Sequence, residues 1–171
     1  MNLDLVDARH LEAAQGWLEL GLPLEANEEL EKIQPQLRAH PDVLDVRWHI
    51  YANAKKWDAC VDIANAIVRC APDRSDGWIH RSFALHEMKR TQEAYDQLLP
   101  AADKFPKVWT VPYNLACYCS RLHRFNEAKD WLKKAMGIGG KRVQDAAAAD
   151  EDLKPLWESM GETSWKREQS E

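Results

Sequence analysis

Six histidines and four cysteines are the side chains of this 171-residue sequence with the clearest capacity for metal ligation or nucleophilic chemistry. Imidazole and thiolate both hold borderline transition ions, and a structural zinc site usually draws them from closely spaced pairs. Cys60, Cys70, Cys117 and Cys119 lie ten, forty-seven and two residues apart, without a CxxC knuckle. They are expected to be small buried hydrophobes and not a disulfide framework. His49, His80 and His86 are the more suggestive set, because the helical register below turns His49 and His80 toward one surface. A metal-binding or enzymatic centre built on His49, His80 and Cys117 is one reading. No HxxxH pair supports it on a single helix, so lining of a groove is the expected role. His10, His40 and His123 are expected at helix ends or on the surface.

No phosphate-cradling glycine loop, HExxH, GxSxG or nucleotide-binding βαβ pattern occurs in the sequence. The expectation is a non-enzymatic protein with no catalytic residues, no metal and no cofactor. Apolar residues make up 45% and charged residues 30%, with 7 Gly and 8 Pro, the balance of a folded chain. A net charge of −5 argues against general nucleic-acid binding, which needs a basic face. No apolar stretch approaches a bilayer's thickness, and MNLDLVDARH has neither a basic start nor an apolar signal core. A cytoplasmic location without membrane association is therefore expected.

The elements that would position these side chains follow a fixed ruler. Small residues recur at Ala26, Cys60, Ala94 and Ala128, in steps of thirty-four. Four residues on stand Leu30, Ala64, Leu98 and Leu132, and three further Ile33, Ile67, Ala101 and Ala135. This i, i+4, i+7 stripe is the buried face of a helix. Upstream, Ala14, Trp48, Ser82 and Ala116 precede Trp17, Tyr51, Leu85 and Cys119 by three residues and define a first helix in each unit. The small slots are expected where paired helices cross most closely, and Trp48, Trp57, Trp78, Phe125 and Trp131 are expected to fill the spaces between layers. Pro72 and Pro106 close the second and third units, and Gly140 the fourth. Pro35 and Pro100 fall inside expected second helices and should kink them.

The pattern resembles the tetratricopeptide repeat (TPR) family, and small bacterial-type members in particular, whose unit runs roughly W-x2-L-G-x2-Y, then A-x3-F, then P. Trp78, Leu85, Ala94, Leu98 and Pro106 carry the likeness in the third unit, and the stretch from Tyr113 to Ala135 carries it in the fourth. The first unit departs, with its proline at Pro41, three residues late. The resemblance implies an all-α fold: a right-handed α-solenoid of antiparallel helix pairs with about four repeats, near 8–41, 42–74, 75–106 and 107–140. Leu153, Leu156, Trp157 and Met160 suggest a C-terminal capping helix or two over 141–160, completing a single domain over 1–160. Residues 161–171 are expected to fray.

Stacked helix pairs present their first helices on a concave surface. The residues expected to line it are Leu11, Gln15 and Leu18, then Val46 and His49, then Ile79, His80 and Phe83, then Tyr113, Asn114 and Cys117. A mostly apolar groove of this kind suits an extended or helical peptide. The basic clamp by which some family members hold chaperone tails is missing. Asp45, His49 and His80 occupy its slots in the second and third units, and only Asn114 matches in the fourth. Residues 1–41 carry three basic and eight acidic side chains, whereas 107–140 carry six and two. Arg121, Arg124, Lys129, Lys133 and Lys134 could therefore dock an acidic partner, or the acidic first unit of another copy in a homo-oligomer. The expected function is a protein-interaction scaffold or adaptor. A small secretion-type chaperone for an apolar client is the alternative.

Overall fold

The computed structural model describes residues 3–161; the tail expected to fray lies outside the described residues from 162 onward. The described residues fall into two compact units that divide between Leu85 and His86. The first unit holds α1 (Leu5–Glu19), α2 (Pro23–Lys32), α3 (Pro41–Asn53), α4 (Trp57–Cys70) and all but the end of α5 (Asp76–Glu87). The second continues through α6 (Thr91–Leu98), α7 (Ala101–Lys104), α8 (Thr110–Arg121), α9 (Phe125–Gly139), α10 (Lys141–Ala149) and α11 (Lys154–Met160). No strand occurs among the described residues, and no described helix is long and apolar enough to cross a membrane.

Within the first unit α1 packs on α2 and α3 on α4; within the second, α8 packs on α9. Ala26, Cys60, Ala94 and Ala128 are fully buried, as are Ile33, Ile67, Ala101 and Ala135. Leu11, Leu30, Val43, Val46 and Ile50 close one core around Ala26 and Ile33. Trp48 packs with Cys60, Ala64 and Ala84 in another. Between α4 and α5 the approach is so close that a Cβ on Gly77 would lie 2.9 Å from both Ile67 Cγ2 and the Val68 amide nitrogen. Larger side chains at such crossings would push the helices apart.

The turns repeat with the core. Gly21, Lys55, Lys89 and His123, thirty-four residues apart, all adopt positive φ, at 74°, 53°, 64° and 58°. Their N–H groups donate to the carbonyls of Leu18, Ala52, His86 and Ser120. Leu22, Lys56 and Arg124, each one residue further on, reach back to Trp17, Tyr51 and Cys119 at 2.9, 3.0 and 2.8 Å. This is the Schellman closure, which satisfies the last carbonyls of a helix and turns the chain sharply. Only Gly21 takes the left-handed conformation without steric cost.

Three features depart from the sequence pattern. The second helix of the first unit stops at Lys32 without kinking, because Pro35 biases Gln34 toward extended backbone and Gln34 takes ψ 134°. The buried Asp7 carboxylate then accepts the Gln34 backbone N–H at 2.9 Å and its side-chain amide at 3.0 Å. Pro41 opens α3 at its first position, capped by His40, where a missing N–H costs nothing. Of the aromatic residues expected between layers, Trp48 is 5% exposed, whereas Trp57, Trp78, Phe125 and Trp131 are only half-buried. Trp48 is the one enclosed, against Cys60, Ala64 and Ala84. Pro100 does interrupt its helix, splitting α6 from α7. Cys60, Cys117 and Cys119 are buried and Cys70 is exposed.

Candidate functional site

α3 places Asp45 and His49 one helical turn apart on a single face, and α5 brings His80 against them. His80 Nε2 lies 2.7 Å from Asp45 Oδ1, and His49 Nε2 lies 4.0 Å from Asp45 Oδ2. The His80 ring stacks flat on Trp48, with centroids 4.0 Å apart and an interplanar angle of 9°. That stacking fixes the imidazole while Asp45 holds its edge. The two histidine rings meet edge to face at 5.2 Å. One ligand atom from each of Asp45, His49 and His80 falls within 4.8 Å of the others. Burial alone would raise the Asp45 carboxyl, but the His80 hydrogen bond and the charges of His80, His49 and Arg74 hold it below its ordinary range. His49 is lowered as well: partial burial, then the neighbouring His80, makes its imidazole harder to protonate.

Asp45 and His49 also line an open concavity of about 560 Å³ with Gln15, Leu18 and Glu19 of α1 and Val46 and Asn53 of α3. Four residues expected on the groove, Gln15, Leu18, Val46 and His49, thus meet at one place. Gln15 and His49 are exposed there, Leu18 is half-buried, and Val46 forms its floor. Leu11, also expected on the groove, is buried in the adjoining core. Ile79 and His80 are half-buried on α5. Phe83 is 39% exposed, with its ring edges toward Trp48 and Trp57.

The second unit treats its groove residues differently. Tyr113 and Cys117 on α8 are buried, and Asn114 between them is half-buried. Asp150, just after α10, accepts the Tyr113 hydroxyl at 2.6 Å and the Cys117 thiol at 3.7 Å. Asp152 meets His86 Nε2 at 3.0 Å and Arg121 Nε at 3.6 Å. The Leu156 N–H donates to the buried Ser120 hydroxyl at 3.2 Å. The His86 hydrogen bond keeps the Asp152 carboxyl below its usual range. Burial, and then Asp150, pushes the Cys117 thiol up, and burial raises Cys60 to about 11 and Cys119 to about 12. None of these thiols is a ready thiolate at neutral pH. Cys117 is therefore committed to Asp150 and Tyr113 within the second unit, while His49 and His80 take Asp45 as their companion.

Asp45 was legible only as an empty clamp slot. Its i, i+4 relation to His49 was the available signal for a shared face. Of the remaining histidines, His10 pairs with Glu29 at 2.8 Å, His40 caps α3, and His123 sits exposed in a turn.

No family model and no curated protein matches the chain. Solved structures do. TTC0263, a thermophilic TPR protein of Thermus thermophilus, matches over 91% of this chain and 83% of its own, with 16% identity and a TM-score of 0.74. A crystal structure of MamA matches over 81% of each chain, with 14% identity and a TM-score of 0.69. MamA AMB-1 matches over 92% of this chain and 94% of its own, with 20% identity and a TM-score of 0.61. At these identities the likeness speaks to fold alone. Together with the thirty-four-residue period of core and turns, it shows that this chain has an all-α helical-repeat fold of the tetratricopeptide type.

Proposed function

We propose that the protein is a non-catalytic interaction scaffold that holds a segment of another protein against its first helices. The concavity formed by Gln15, Leu18, Glu19, Asp45, Val46, His49 and Asn53 carries this reading. It combines an apolar floor with polar groups around it, the mixture by which a groove seats side chains and orients a peptide backbone. The buried, protonated thiols and the absence of a nucleophile–base pair in the sequence motifs favour binding over catalysis. A cytoplasmic setting belongs to the same reading.

Affinity capture from the native lysate tests it with a Gln15→Arg/Leu18→Arg double variant. A Leu24→Arg variant serves as control, because Leu24 is 77% exposed on α2 and outside the concavity. A protein retained by the wild type and Leu24→Arg but lost by the double variant is the expected result. Unchanged capture by a double variant of normal helicity would place binding elsewhere.

A further inference from the structure

We propose that Asp45, His49 and His80 form a binding site for a divalent late first-row transition ion, with zinc as the best fit. Two imidazoles and one carboxylate are the donor set such borderline ions take, and they leave coordination positions open to a water or to a further ligand. Among the described residues this is the one group of three or more His, Cys, Asp or Glu side chains so assembled.

The geometry needs little adjustment. Three atoms within 4.8 Å of one another share a point no more than about 2.8 Å from each, against zinc bonds of about 2.0–2.1 Å. Closure by under about 1 Å per ligand is within the reach of side-chain torsions. His49 has the freedom to supply it, its side chain being 49% exposed. His80 is already oriented by Trp48 and Asp45, so part of the ordering cost is met before any ion arrives.

The chemistry also balances. In the ion-free protein the 2.7 Å contact between His80 Nε2 and Asp45 Oδ1 is a hydrogen bond. On binding, zinc takes the place of that hydrogen: the single N–H of the neutral His80 ring passes from Nε2 to Nδ1 by exchange with solvent, and Nε2 donates its lone pair to the metal. Arg74, the cation nearest in effect to Asp45, is engaged by Asp42 and Asp76 and does not compete for the carboxylate. Asp45 and His49 face the concavity, so the open coordination positions point toward the space proposed for a partner.

The test uses the untagged full chain with cobalt(II) as a visible probe and zinc as competitor. One equivalent of cobalt should give ligand-field bands of low-symmetry coordination, zinc should displace it, and zinc should raise the thermal midpoint. His49→Gln should weaken zinc by about tenfold or more, with an unchanged far-ultraviolet circular dichroism spectrum. His123→Gln, at an exposed turn, should bind like wild type. Lack of stoichiometric cobalt and zinc binding in the wild type would overturn the proposal. So would zinc affinity unchanged by His49→Gln.

Discussion

One repeat position behaves in opposite ways in the two units. Gln15, His49 and Phe83 are exposed in the first, whereas Cys117, thirty-four residues beyond Phe83, is 4% exposed in the second. Asp45 and Tyr113 stand in the same relation, the former beside an open concavity and the latter buried under Asp150. The repeat sets which face of a first helix is available. The segment that does not repeat decides whether that face stays available.

Removing what holds this segment should give the largest effect. Leu156 is fully buried at the start of α11, and Leu156→Ala should cost the second unit about 2–5 kcal/mol in urea unfolding. The same variant should make Cys117 react with a thiol reagent, with exposed Cys70 as the internal reference. A Cys117 that stays inert while Leu156→Ala loses stability would break the comparison, because burial would then come from α8 itself.

A smaller effect separates interior from open face. Ala94→Leu should cost about 1–3 kcal/mol by overpacking, and Phe83→Ala under about 1, as read from denaturation midpoints. Equal losses would mean that Phe83 is as much a core residue as Ala94.

The subtlest difference is in pH dependence. His49 is harder to protonate in the fold than in the unfolded chain, whose histidines titrate near pH 6.5, so stability falls as pH drops through about 6.5. Asp152 has a lowered folded value, so its contribution is intact above about pH 3.9 and is lost as pH falls through and below that value. Hydrogen exchange at about pH 7.5 and pH 5.5 should therefore show loss of protection around α3 in wild type, and a smaller loss in His49→Gln. An unchanged loss in the variant would assign the effect to another group.

Much of the helical scaffold was legible because one spacing runs through it. Ala26, Cys60, Ala94 and Ala128 announced the crossings, and all four are fully buried. The period says less about size. It marks where an aromatic residue stands, but the distance between helices decides how much of the ring is covered, so Trp57 and Trp131 remain half-exposed. It also says nothing beyond residue 140, where no counterpart of Asp150 or Asp152 exists to compare. The carboxylate beside His80 was hidden for a related reason. A search for paired histidines passes over an aspartate on one helix that meets a histidine on another.

The four left-handed turns carry a consequence for how such a chain can change length. Gly21, Lys55, Lys89 and His123 present the same local backbone at thirty-four-residue intervals, with the same N–H to carbonyl closure. A segment cut between corresponding points of two such turns begins and ends in one conformation and carries one complete set of small slots. Insertions or deletions of that length preserve phase, whereas a single residue added inside a helix turns the apolar stripe beyond it by about 100° away from its partner.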